Sequence, residues 1–420
     1  MEKRNQDFVT QLTLENPPKT RSSTRRRVLF VQYAGDYREA VNHLNQGGNE
    51  TYYAQRYSVN TMAEISQQVE EMTVLVCHTD EPYNEVLENR VRAIGSGFAT
   101  NVPVKELIKL VEQQKPTHLI INTPILELVQ WAIRNKVKTL ALLADSFQAT
   151  GVRSTLKNYF LGRLLNHPQI DWVANHGTNA CRSLRAIGVN PNKIIPWDWP
   201  HVITPDNFTP KQLRTHHGTF KLLYVGSIID LKGVGDVLEA VPILNAKNIS
   251  TYVQLAGKGD IARYIEQAKK LGIEQQIEFL GFIPNNNIVQ LMRAADLVMI
   301  PSHHSYPEGL PMIIYEALCS HTPIVASDHP MFRRKLIDGQ SALIFRAGNA
   351  SALAERIVTL LSNPDLYQRL SANSKATWEQ LQVPVKFADL LNRWIFDSPT
   401  NRQWLYNHRF ASERYDIYIS

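Results

Sequence analysis

Cysteine is nearly absent, with three in 420 residues. Cys77, Cys181 and Cys319 are too scattered for a disulfide framework or a zinc site, and a reducing, cytoplasmic setting is the expectation. No cluster of acids, histidines or cysteines has ligand spacing, so no metal is expected. Long apolar runs are missing too. A bilayer crossing needs ~18–20 consecutive apolar residues, and none is present. The first 30 residues lack an apolar stretch before a small-residue cleavage site, which argues against a secretory signal. Strong charge of one sign is confined to the start. Residues 1–27 hold seven basic and three acidic side chains, a balance of +4 out of the chain's +6. The body is close to neutral, so no nucleic-acid partner is expected. The cluster Arg25–Arg27 makes the tail a candidate for peripheral contact with the inner face of a membrane; the plainer reading is a solvated, disordered tail.

What is present is globular: 44% hydrophobic and 20% charged residues, enough for two cores. Short apolar runs at 28–31, 73–77, 118–122, 139–143 and 172–174 alternate with helical patterns such as KELIKLVEQQ and ILELVQWAIRNK. Such alternation implies a parallel sheet covered by helices. Residues 205–219 carry two prolines and no period, and read as a linker. A second series follows, with strand runs KLLYVGS, TYVQLAG, IEFLG, DLVMIPS, PIVAS and ALIF. The expected organisation is a basic tail (1–27), an N-terminal domain (28–204), the linker (205–219), a C-terminal domain (220–395) and a helical segment (396–420). The fold class is α/β, two doubly wound Rossmann-like domains facing a cleft. Such sheets bind ligands beyond the carboxyl ends of their strands.

The most informative stretch is PSHHSYPEGLPMIIYEAL, residues 301–318. It runs from a buried strand into a helix, with Pro311 suited to the first turn. Glu308, Gly309 and Leu310 bring backbone N–H groups to a helix start, where phosphate binds readily. Glu316 follows ~8 Å further along the axis. Two such carboxylates can accept hydroxyls from both ends of a nucleotide-sugar. Alone, Glu308 reads as a helix N-terminal acid and Glu316 as a solvated helix residue.

Gly226 and Ser227 end the first strand of the second series, and Lys232 after them could supply a cation to a departing diphosphate; the plain reading of Lys232 is an exposed loop lysine. Gly257, Gly259 and Ala262 fit G-x-G-x-x-A, with Glu278 beyond. That pattern belongs on the first strand of a dinucleotide domain, and here a full strand–helix unit precedes it. A turn lining a nucleotide pocket is the better reading, with Phe282 either flanking the base or packed in the core. Trp197 and Trp199 either stack on a sugar or fill the core.

The run from Leu222 to Asp328 resembles the donor half of GT-B glycosyltransferases of the large retaining group 1. It does so through LLYVGSIIDLKGVGDVLEA, VQLAGKGD, IEFLGF, ADLVMIPS, PEGLPMIIYEAL and TPIVASD. Glu308 and Glu316 match that family's Glu-x7-Glu motif. The resemblance implies that Glu308 binds sugar hydroxyls and Glu316 the ribose. Gly309, Leu310 and Pro311 would contact sugar and phosphate, and Lys232 would neutralise the diphosphate. It implies retention of configuration and no cofactor beyond a nucleoside diphosphate sugar as co-substrate. The Arg25–Arg27 cluster points to a carbohydrate or lipid-linked acceptor at the inner face of a membrane, and a small-molecule acceptor stays open. Three departures stand out. Ser227 replaces an arginine. Leu143-Ala144-Asp145-Ser146 lacks the family's histidine. IIPWDWPH, residues 194–201, replaces Pro-Asn-Gly-Val-Asp. Were the reaction inverting, Asp145 would be the base, against its plain reading as a helix cap. Epimerase or hydrolase chemistry, a non-catalytic binding subunit, and a nicotinamide dehydrogenase are the competing readings. Alanine at Lys232 or Glu316 is expected to lower transfer and leave the thermal transition nearly unchanged.

Overall fold

A computed structural model of the chain describes residues 25–33, 35–99, 101–147, 151–213, 218–309 and 311–415. Most of the basic tail, residues 1–24, and the last five residues lie outside them.

The first body is built on an eight-stranded sheet. Its order is Pro82–Val86, Arg92–Ser96, Glu71–Val76, Arg27–Gln32, His118–Ile121, Lys138–Leu143, Ile170–His176 and Ile194–Trp197. All pairs are parallel except the edge pair Pro82–Val86 with Arg92–Ser96. The apolar runs marked five of these strands. Pro82–Val86 has no apolar run because it is an edge strand with mostly exposed side chains. Arg92–Ser96 and Ile194–Trp197 are short and interrupted by glycine or proline. The sheet is buried on both faces. In Arg27–Gln32, Val28 and Phe30 enter one core and Leu29 and Val31 the other, as the two-residue period of a strand requires.

The second body carries a six-stranded parallel sheet. Its order is Ile277–Gly281, Thr251–Ala256, Phe220–Val225, Leu297–Ile300, Ile324–Ser327 and Leu343–Phe345. These are the six strand runs of the second series. Phe220–Val225 is central, and the strand order reverses beside it, where ligand crevices form in such sheets. The segment after residue 205 is no loose tether: Lys211 N donates to Ser371 Oγ at 2.6 Å and so lies on the second body.

The C-terminal domain expected to run to residue 395 ends earlier. Helix Ser374–Leu381 packs on the second body, but the chain then crosses back. Helix Phe387–Ile395 buries Phe387, Leu390, Leu391 and Trp394 in the first body's core, and Leu405 of helix Pro399–Asn407 joins them. Trp394 Nε1 donates to Asp171 Oδ2 at 2.8 Å. Helical periodicity shows an apolar face but not which sheet it covers.

Candidate active site

The two glycine motifs are the floor of the site. Strand Phe220–Val225 ends at Gly226 and strand Thr251–Ala256 at Gly257. Gly226 N donates to Ala256 O at 2.9 Å, and Ile228 N to Lys258 O at 2.8 Å. A Cβ on Gly257 would collide with the carbonyl oxygen of Gly226, and one on Gly259 with that of Ile228. Both residues also have positive φ. These glycines let two strand-end turns lie backbone against backbone. Gly259→Ala is therefore expected to cost about 2–3 kcal/mol through strain in this turn. A urea melt checks it, and an unchanged midpoint would contradict the close approach.

Between the bodies lies a cavity of about 620 Å³. Gly226, Ser227, Gly257, Phe282 and Glu316 line it together, joined by Lys258 and Asn285. The first body contributes Tyr52, Tyr53 and Trp199. Phe282 is 41% exposed, not core, and Lys258 Nζ lies 5.1 Å from its ring centroid. Trp197, by contrast, is core: it donates from Nε1 to Leu143 O at 3.0 Å. Glu316 is the fifth residue of helix Met312–Cys319 and is buried, not solvated. Its Oε1 accepts from Asn285 Nδ2 at 2.7 Å. Burial raises its carboxyl to about 7, although the Asn285 hydrogen bond pulls the other way.

Glu308 is absent from that wall. It is buried, and its Oε1 accepts from Ser302 Oγ at 2.7 Å and from Lys232 Nζ. Lys232 is not an exposed loop lysine. Its ammonium is paired with Glu308 and lies 4.3 Å from the Tyr306 ring centroid. Lys232 and Glu308 thus stand as one ion pair, and neither lines the cavity that Glu316 lines. Gly309 faces the first body: a Cβ there would stand 3.4 Å from Ala144 O and 3.7 Å from His176 Nδ1. Pro311 immediately precedes the helix with extended backbone, and Leu310 lies outside the described residues. Asp145 follows the end of strand Lys138–Leu143, across the cleft from Gly309, and burial raises its carboxyl. It is outside the cavity wall, as is Gly259. Among the described residues no group of three or more potential metal ligands converges.

Residues 206–377 match the family model described as glycosyl transferases group 1. The chain carries a group 1 glycosyltransferase domain. Glycogen synthase of Mycobacterium tuberculosis (strain CDC 1551 / Oshkosh) is 30% identical over 187 residues, 44% of this chain and 42% of that protein. The chain therefore spans less than half the length of this curated relative. An uncharacterized glycosyltransferase of Haemophilus influenzae is 24% identical over 356 residues, 82% of this chain and 95% of the relative. The crystal structure of Anabaena Alr3699/HepE in complex with UDP has a TM-score of 0.61 at 15% identity, over 84% of this chain and 95% of that one. Both bodies share this GT-B fold.

The glycosyltransferase domain meets the first body through a carboxylate that sequence reasoning missed. Asp198 is fully buried just beyond strand Ile194–Trp197. It accepts from His176 Nε2 at 3.0 Å, from Tyr315 Oη at 2.8 Å and from Trp199 N at 2.8 Å. His201 Nε2 lies at 3.4 Å and Lys386 Nζ at 3.8 Å. Burial opposes its charge, but the hydrogen bonds from His176 and His201 and the nearby Lys386 outweigh that and hold it well below the usual carboxylate range. Tyr315 neighbours Glu316, and His201 Nδ1 lies 2.9 Å from the hydroxyl of Tyr53 at the cavity wall. His176 Nδ1 makes no hydrogen bond among the described residues and faces Gly309. The one available signal was that the replaced segment IIPWDWPH contains both an acid and a histidine. Asp198→Ala is expected to cost about 3–5 kcal/mol, because it strands buried donors on both bodies. Asp198→Asn should cost less. Denaturant titration of both variants checks the order.

Proposed function

We propose that this protein transfers a glycosyl residue from a nucleoside diphosphate sugar to an acceptor hydroxyl, with retention of configuration. The observation that carries the proposal is the buried carboxyl of Glu316 in the wall of an interdomain cavity floored by the glycine turns. Eight residues before it stands the Glu308–Lys232 pair. On this reading Glu316 accepts the ribose hydroxyls. Lys258 and Phe282 border the base, and Gly226 and Gly257 let the diphosphate approach the backbone. Lys232 turns from Glu308 toward the departing phosphate, and Glu308 then accepts a hydroxyl of the sugar. The bond between the anomeric carbon and phosphate oxygen breaks, and a bond from the acceptor oxygen to that carbon forms. The acceptor's proton passes to the departing phosphate, so no separate base is required. Asp145 and His176 border the sugar from the first body.

The test is a panel of nucleotide-sugars scored by thermal stabilisation, followed by transfer assays with the best binder. A ligand that binds only the native state raises the melting temperature, by RT ln(1 + [L]/Kd) in free energy. One sugar nucleotide should stabilise the wild type and fail to stabilise Glu316→Ala. Equal stabilisation of both proteins would remove Glu316 from the site. Stoichiometric donor breakdown without an acceptor would replace transfer by hydrolysis.

A further inference from the structure

Helix Val152–Leu165 is apolar on two opposite faces. Leu161, Gly162 and Leu165 are its buried residues. Val152 (87% exposed), Leu156 (56%), Tyr159 (52%) and Phe160 (51%) are open to solvent. At 3.6 residues per turn these four fall within an arc of about 100°, roughly opposite the buried one. Single exposed apolar residues are ordinary, but four large ones on one strip need a partner. The helix reads VRSTLKNYFLGRLL: it carries Arg153, Lys157 and Arg163, all exposed, and no acid. Beside Phe160 a cavity of about 380 Å³ has Glu127 as its one carboxylate.

The placement of the strip matters. The helix connects strand Lys138–Leu143 to the parallel strand Ile170–His176, so it starts at the carboxyl ends of the sheet and runs back. The exposed residues occupy its first turns, and the buried ones its last. The strip therefore stands at the end of the first body where the cleft opens, near Asp145.

We propose that this helix face seats the protein on an anionic lipid surface. Leu156, Tyr159 and Phe160 enter the boundary between headgroups and acyl chains. Arg153, Lys157 and Arg163 lie among the lipid phosphates. Apolar insertion combined with cationic attraction is how an interfacial helix binds. A second copy of the chain fits less well, because a two-fold contact along this strip would set its cations against their own images. Docked this way, the cleft mouth opens beside the lipid, and a hydroxyl on a lipid-borne acceptor comes within reach. The acceptor clause rests on the proposed glycosyl transfer; the docking does not.

The experiment is sedimentation of the full chain with phosphatidylcholine vesicles, with and without phosphatidylglycerol. Binding is expected on the anionic vesicles only, and should weaken in high salt. Leu156→Asp combined with Phe160→Asp should lower the bound fraction about tenfold. Both sites are more than half exposed, so melting temperature and donor-induced stabilisation should stay unchanged. Arg153→Glu with Lys157→Glu should have a similar effect without touching the apolar strip. Undiminished vesicle binding by these variants would overturn the proposal and point to another surface. So would the absence of vesicle binding together with a dimer that the Leu156 and Phe160 substitutions dissolve. A protein that binds vesicles but shows no stabilisation by any nucleotide-sugar would refute the transfer reading and leave the docking standing.

Discussion

Lys232→Ala is expected to lower glycosyl transfer about a hundredfold, the scale of losing a preorganised charge at a departing phosphate. It should also lower stability by about 3 kcal/mol. The second effect departs from what sequence alone suggests, since a loop lysine can be removed without structural cost. Here the ammonium is the counter-charge of Glu308, whose remaining side-chain donor is Ser302. Truncating the partly buried lysine leaves the buried Glu308 carboxylate desolvated and uncompensated. The double variant Lys232→Met with Glu308→Gln removes both charges, so it should recover most of the lost stability and none of the transfer. Steady-state rates and urea midpoints for the three proteins separate the two roles. Wild-type rates in Lys232→Ala would end the assignment. A double variant no more stable than Lys232→Ala would show that the pair is not what holds the loop.

Glu316→Gln is expected to make the protein more stable and worse at binding donor. Burial holds the carboxyl at about 7 in the native state, against about 4.3 in an unfolded chain. Between those values the native protein keeps a proton that the unfolded chain has released. Stability therefore falls as pH rises through that window. Glutamine carries no charge and can still accept from Asn285. At pH 8 the variant should exceed wild type by on the order of 2–3 kcal/mol, or roughly 2–4 °C in melting temperature for a chain of this length. Below pH 4 the two should melt together. Donor affinity of the wild type should climb as pH rises through about 7, because an ionised carboxylate is the stronger acceptor for ribose hydroxyls. The variant should lack that climb. Identical melting curves at pH 8 would show that Glu316 carries no cost of burial.

The second body was largely legible in sequence because its strands are compact apolar runs, five of the six closed by glycine, proline or serine. The same clarity placed Gly226, Gly257, Phe282 and Glu316, which all face one cavity. Lys232 and Glu308 were legible as chemistry but not as a pair, since they are far apart in the chain and meet only across two loops. Asp198 was not legible: a lone acid between two tryptophans reads as a turn. Its importance comes from His176, Tyr315 and Lys386, which converge on it from both bodies. The edge strand Pro82–Val86 and the destination of the last helices escaped for a related reason, because periodicity records a face and not its neighbour.

The return of the chain after Leu381 has a mechanical consequence. The polypeptide passes between the bodies once near residue 205 and again near residue 383. Two spans side by side act as a pair of pins, resisting twist and shear while allowing the bodies to swing about the line that joins them. Asp198 sits on that line, hydrogen-bonded to the second span through Val385 and Phe387. A truncation before residue 382 would therefore do more than shorten the protein. It would free the swing from its axis and strip the covering from Trp197 at the same stroke.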